Sequence, residues 1–445
     1  YAIEESPVTA GVIWAGANDG PVHVTRDGGG SWTDVTPSDL PPEGRVSIID
    51  PSPHDAAKAY VAVYRTLLGD DRPYIYRTDD YGSSWTLLTP GDNGIPEDTP
   101  TRVIREDPDQ PGLLYAGTEY GIYVSLDDGA SWLPFRQNMP VTPITDMKVA
   151  DGDLFISTMG RSFWVMDNLT PLHQMASGVD IETVQLLQPR DAYRIRGGGG
   201  GYGFGDVAAI RPQYRPDGIM VDYWIPAGLQ ADVSLEVLDP SGEVVRTYRS
   251  GGPGVRSEED QQMRAPFMRR SGRPSLDSSP GLHRVVWDMT IDTEGRSPVA
   301  LPGTYGFRLS VGDQVETRSA ELLMNPRVAA DGITMADLQE QYDLILAVKE
   351  TTARAREVAG RVRDGVGRTE GEARAAFEAL QARMVDDPVG SYPRPMLLGQ
   401  LGYLSGMIGR ADQKPGADAF VRHQQLLDEL EDIERELARL ERLIA

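Results

Sequence analysis

The chain reads as a multi-domain, mainly β protein: a partial β-propeller, then an antiparallel β-sandwich, then a C-terminal α-helical bundle. Three observations predict this. One eight-residue pattern occurs three times in the first third of the 445 residues, as Thr25-Arg-Asp27-Gly-Gly29-Gly-Ser31-Trp32, Thr78-Asp-Asp80-Tyr-Gly82-Ser-Ser84-Trp85 and Ser125-Leu-Asp127-Asp-Gly129-Ala-Ser131-Trp132. The copies start 53 and then 47 residues apart, close to the period of one four-stranded propeller blade. From Ile219 to about Val328 the apolar residues keep a period of two, and from Thr334 onward they recur at helical spacing.

Each copy of the pattern follows an alternating apolar stretch, Val22-His-Val24, Tyr74-Ile-Tyr76 or Ile122-Tyr-Val124, which places it at the turn leaving a strand. There a short carboxylate accepts backbone N–H groups, glycine permits φ > 0, and a hydroxyl adds a second local bond. Asp27, Asp80 and Asp127 are therefore expected to be structural, with Trp32, Trp85 and Trp132 plugging the gap between strands. Asp50-Pro51 and Asp107-Pro108 mark the ends of innermost strands. A fourth copy, Asp153 to Asn168, aligns Asp167 with the repeated aspartate but lacks the Gly-x-Ser-Trp tail, as a terminal blade should. Residues 1–175 are thus read as the C-terminal blades of a propeller. The missing blades are expected upstream of Tyr1, and the first blade, opening on Val12–Ala15, is expected to lack an innermost strand of its own.

Residues 176–218 read as a connector containing Gly197-Gly-Gly-Gly-Gly201-Tyr-Gly203-Phe-Gly205. No Gly-Lys-Ser/Thr follows it, so a phosphate loop is not supported. Residues 219–330 carry five short strand patterns: Met220–Ile225, Val233–Leu238, Val244–Tyr248, Arg284–Trp287 and Thr304–Leu309. This spacing suits a sandwich like fibronectin type III or hook-cap modules, interrupted by a long polar loop over Ser250–Pro280. Residues 331–445 read as four helices, opened by a capping signal at Thr334 and Asp337. The last is heptad-like, with Leu426, Leu430, Ile433, Leu437, Leu440 and Ile444 at steps of four and three. Gly399, Gly402, Gly406 and Gly409 fall on one face of the third, where they would let a neighbouring helix approach.

A formal charge of −24 excludes a basic nucleic-acid footprint and an anionic membrane surface as partners. With no cysteine, neither disulfides nor thiolate chemistry are available. The five histidines lack metal-ligand spacing, so no metal and no cofactor are expected. No run of eighteen apolar residues exists, so no membrane span is expected.

Together the three boxes, the Gly160-Arg-Ser-Phe-Trp-Val-Met-Asp-Asn168 closure, the strand pair Leu235-Glu-Val-Leu-Asp-Pro-Ser-Gly-Glu-Val-Val245, Val285-Val-Trp-Asp288 and the helical tail resemble the C-terminal portion of bacterial BNR (Asp-box) repeat glycosyl hydrolases and sortilin-like (VPS10) propeller proteins. The resemblance implies an exported bacterial protein, secreted, periplasmic or at the cell surface, with more propeller ahead of this segment. In xyloglucanase-like relatives the catalytic aspartates sit in a Thr-Asp-x-Gly turn. Thr118-Glu119-Tyr-Gly121 is the nearest match and Asn18-Asp19-Gly20 the equivalent in the first blade, so the resemblance nominates Glu119 and Asp19. Glycoside hydrolysis needs two carboxylates, and the second is expected upstream. The preferred reading is a binding or assembly module for a peptide or glycan, partnered by the missing propeller half as an upstream fragment or separate subunit. The alternative is a xyloglucanase- or sialidase-like hydrolase whose full site needs the missing blades.

Overall fold

The structure is a computed structural model describing residues 1–195, 215–251, 275–292, 298–386 and 394–444. The Gly197–Gly205 connector and most of the Ser250–Pro280 loop lie outside the described residues. The chain forms two compact units, Tyr1–Gln188 and Pro189–Ala445. No helix among the described residues is long and apolar enough to cross a membrane.

The first unit is a row of antiparallel blades, each built in sequence order. Blade I comprises Ala2–Glu5, Ile13–Gly16, Val22–Thr25 and Thr33–Asp34. Blade II comprises Arg45–Pro51, Ala59–Tyr64, Tyr74–Thr78 and Thr86–Leu87, and blade III comprises Thr101–Glu106, Leu114–Thr118, Ile122–Ser125 and Leu133–Pro134. Blade IV has three strands, Ile144–Ala150, Asp153–Thr158 and Phe163–Met166, followed by helix α1 at Thr170–Ala176. The expectation that the first blade lacks its innermost strand is corrected here: Ala2–Glu5 pairs with Ile13–Gly16, Ala2 opposite Gly16 and Glu5 opposite Ile13.

The cores of this unit lie between consecutive blades, which explains its strand patterns. All six residues of Ala59–Tyr64 are buried. Ala59, Val61 and Val63 pack with blade I residues Trp14 and Val24, while Tyr60 and Ala62 pack with blade III residues Ile104, Ala116 and Trp132. A strand covered on both faces has no need of polar alternation. Gly16 and Gly117 occupy equivalent places on the second strands of blades I and III, and a Cβ there would lie 2.3 Å from Val46 and 2.7 Å from Ile144, each on the inner strand of the next blade. Glycine therefore sets how closely a second strand approaches the following blade.

In the second unit, Ile219–Ile225 pairs antiparallel with Gly281–Trp287. A five-stranded sheet runs in the order Ala192–Tyr193, Gln314–Leu323, Gly303–Val311, Val233–Leu238, Val244–Arg249, with its first pair parallel. Trp287 stacks against Tyr305 and Phe307 at ring-centroid distances of 4.6 and 6.0 Å. The short helix α2, Pro326–Ala330, is capped by Asn325. Helix α3, Met335–Arg368, opens with a reciprocal capping box between Thr334 and Asp337. It packs with α4 (Gly371–Met384), α5 (Leu397–Ile408) and α6 (Ala417–Ile444) around Val348, Val362, Phe377, Leu401, Leu430 and Ile433. The middle of the glycine stripe on α5 does not mediate a close helix approach: a Cβ at Gly402 or Gly406 would meet nothing within 4 Å, while one at Gly399 would meet the Asp386 carboxylate, which accepts the Met396 N–H. Leu397, Leu401, Leu404 and Ile408 form the buried face instead.

Candidate functional site

Each Asp box joins the third and fourth strands of its blade and uses the same hydrogen bonds. The Asp27 carboxylate accepts the Ser31 N–H at 2.8 Å and hydroxyl at 2.7 Å, and also the Thr25 hydroxyl at 2.7 Å. Asp80 does the same with Ser84 and Thr78, and Asp127 with Ser131 and Ser125. The first residue's hydroxyl then accepts the N–H of Gly29, Gly82 or Gly129 at 2.8 to 3.0 Å. The Ser31 hydroxyl and N–H, with Thr25, hold the Asp27 carboxyl at about 2. Asp80 is lowered by the same bonds. Burial opposes ionisation of Asp127, but the bonds from Ser131 and Ser125 outweigh it and lower its pKa too. These carboxylates are saturated by their own turn.

The boxes also join blades. Trp85 of blade II donates its indole N–H to the Val35 carbonyl of blade I at 2.6 Å, and Trp132 of blade III donates to Leu88 of blade II at 2.9 Å. Val35 and Leu88 hold equivalent positions: each follows a fourth strand and donates its N–H to the carbonyl at the same place in the third strand, Val22 or Ile75. Gly82 and Gly129 lie against those same two side chains. Trp32 of blade I has no hydrogen-bond partner among the described residues and is 43% exposed. Blades II, III and IV are further tied by Arg105, which reaches Asp50 and Asp146 at 2.8 Å each and the Met147 carbonyl at 2.9 Å.

Of the nominated carboxylates, Glu119 lies in the turn after Leu114–Thr118 and accepts Arg102 Nε at 2.5 Å. Arg102 also donates to the Tyr64 hydroxyl at 3.2 Å and stacks 4.4 Å from that ring's centroid. Arg45 lies 5.1 Å from the same ring, and its buried Nε has no partner among the described residues. Asp19 is exposed in the blade I turn. The two candidates thus stand on different blades and share no partner. A polar cleft of about 350 Å³ lies where blades I and II meet, bordered by Asp34, Asp39, Ser83, Ser84 and Trp85.

A constellation that sequence reasoning missed centres on Asp107, at the end of the blade III inner strand. Its side chain is wholly buried. One oxygen accepts the N–H groups of Asp109 and Gln110 at 2.9 and 3.1 Å. The other accepts the Tyr115 hydroxyl and His173 Nε2, each at 2.9 Å. Its carbonyl meets His54 Nε2 at 2.8 Å. Asp107, Asp109 and His173 offer ligand atoms within 4.8 Å of one another, but the Asp107 carboxylate already has four donors, so the arrangement is a hydrogen-bonded clamp between blades II and III and α1. Burial opposes ionisation of Asp107, and the bonds from His173, Asp109 and Tyr115 outweigh it, lowering its pKa. Asp107-Pro108 is visible in the sequence as a turn, but nothing in the spacing of His54 and His173 points to it.

No family model matches the chain, and no curated protein does. Solved structures give partial likenesses. YCF48 from Cyanidioschyzon merolae is 20% identical over 37% of this chain and 52% of its own, with a TM-score of 0.29. The GH74 xyloglucanase from Xanthomonas campestris is 16% identical over 56% of this chain and 36% of its own, with a TM-score of 0.29. An ancestral GH74 enzyme is 12% identical over 71% of this chain and 47% of its own, with a TM-score of 0.31. This chain is similar to each in part, and the role of none is carried over from these figures.

Proposed function

We propose that the chain is an exported binding and assembly module whose first blade receives polypeptide from another segment or subunit. The observation that supports it is the inequality of the three box tryptophans. Trp85 and Trp132 dock on the carbonyl that ends the preceding blade, whereas Trp32 presents the same indole to solvent. Ile3, 67% exposed, lies on the blade I face opposite the buried Trp14. A face built to pack against a blade and left half-open suits a strand-bearing partner. Hydrolysis ranks behind this reading, because Glu119 is engaged by Arg102 and Asp19 stands apart from it.

The test is native mass spectrometry of the tagged chain isolated from its own cells, compared with a Trp32→Arg, Ile3→Asp variant. Both side chains are exposed, so the variant should keep its thermal midpoint. The wild type should carry an added polypeptide mass that the variant loses. A bare wild-type chain, or a variant that retains the added mass, would overturn the reading.

A further inference from the structure

Away from the blades, the helical bundle carries a groove of about 630 Å³ between α5 and the first turns of α6. Its floor is apolar, formed by Leu404, Ile408, Pro415 and Ala419. On its wall Tyr403 and Met407 stand one turn apart on α5 and are 72% and 53% exposed. Large apolar side chains left this exposed beside a concave floor mark a contact surface.

The rim has the opposite sign to the rest of the molecule. Arg394, Lys414 and Arg422 border the groove and Asp418 is its one acidic lining residue, in a chain of net charge −24. Among the described residues Arg422 bonds only to neutral groups, Gln425 at 2.8 Å and Gln400. Arg394 has no carboxylate partner among the described residues, while Lys414 lies 3.3 Å from Asp337. The cations stand at both ends. Arg422 is bonded to Gln400 in the first turn of α5, Lys414 follows the end of that helix, and the rise from Gln400 to the last residue Ile408 is about 12 Å at 1.5 Å per residue.

We propose that this groove binds an amphipathic peptide segment with apolar anchors flanked by Asp or Glu at both ends. A carboxylate with a single head group engages one end only. A three-turn peptide helix reaches both, with anchors at i, i+4 and i+7 against Tyr403 and Met407. An anionic membrane is disfavoured by the net charge of the whole chain.

The experiment is fluorescence anisotropy on the full chain with a labelled peptide of about 15 residues, carrying Leu or Phe anchors and Glu at both ends. Saturable binding is expected. It should weaken about tenfold or more in Arg394→Glu, Arg422→Glu and in Tyr403→Ser, Met407→Ser, while Arg439→Glu, on the same helix about 25 Å from Arg422, should leave it unchanged. All these side chains are exposed or half-exposed, and an unchanged circular dichroism melt verifies folding. Four results would sink the proposal: equal affinity for a Lys-flanked peptide, no loss in either double variant, full displacement of the peptide by sodium decanoate, or binding of phosphatidylglycerol vesicles without binding of peptide.

Discussion

Asp107 is the residue on which most depends in the first unit. Its carboxylate satisfies two backbone N–H groups, Tyr115 and His173 in a place without water access. Removing an acceptor from buried donors costs more than the net value of its bonds. Asp107→Ala is expected to destabilise this unit by about 3 kcal/mol, lowering its midpoint by about 6–12 °C for a unit of this size. Calorimetry showing no change would contradict the clamp. The lowered carboxyls set a pH dependence as well. Asp27, at about 2, and Asp80, Asp107 and Asp127, all lowered from 3.8, bind protons more weakly folded than unfolded. Their stabilisation is complete above the unfolded value and is lost as pH falls through the folded ones. Asp50 runs the other way, its carboxyl raised by burial against its pairing with Arg105, but it is outnumbered. The urea midpoint should therefore hold between pH 6 and 5 and fall steadily between about pH 4 and 2.

At the scale of elements, the most sensitive contact is where α3 meets α4. A Cβ on Gly365 would lie 2.3 Å from the Phe377 ring, and Phe377 is fully buried. Alanine raises intrinsic helix propensity by about 1 kcal/mol, so a surface argument predicts stabilisation. Overpacking costs about 1–3 kcal/mol, and with Phe377 closed in on all sides the clash wins. Gly365→Ala should lower the midpoint of the second unit, whereas Gly402→Ala, which meets nothing, should raise it slightly. A higher midpoint for Gly365→Ala would show that the bundle can part there. The same comparison shows which elements the sequence makes legible. An Asp box closes its hydrogen bonds within eight residues, and the Leu426 to Leu437 stripe repeats within one helix, so both are readable locally. The strand Ala2–Glu5 is not, because Ala-Ile-Glu-Glu shows neither alternation nor an apolar run. Gln314–Leu323 is equally hard to read, since its polar half is exposed and only Ala320 and Leu322 are buried. The Asp107 clamp joins residues up to 66 positions apart, and no short pattern carries that. The glycines of α5 drew attention by their spacing, yet leucines at neighbouring positions carry the packing.

For the whole molecule the decisive quantity is charge. With 67 acidic against 43 basic side chains, the folded chain is compressed against its own repulsion, which relaxes on unfolding. Salt acts on this in two directions. It screens the repulsion, since the Debye length falls from about 30 Å at 0.01 M to about 8 Å at 0.15 M. It also weakens exposed pairs such as Arg354 with Glu434 and Arg361 with Glu441, but those are worth roughly 0–1 kcal/mol each. The Arg105–Asp50 tie between blades is largely buried and feels little screening. Repulsion among the unpaired acids therefore dominates, and raising NaCl from 0.01 to 0.15 M should raise the first melting midpoint by about 2–4 °C. The bundle groove should respond in the opposite sense, because its three cations attract acidic peptide and screening weakens that attraction. A chain that melts higher in salt while binding the Glu-flanked peptide less tightly would display both effects in one titration. A midpoint that falls with salt would mean that ion pairs, and not net charge, govern this fold.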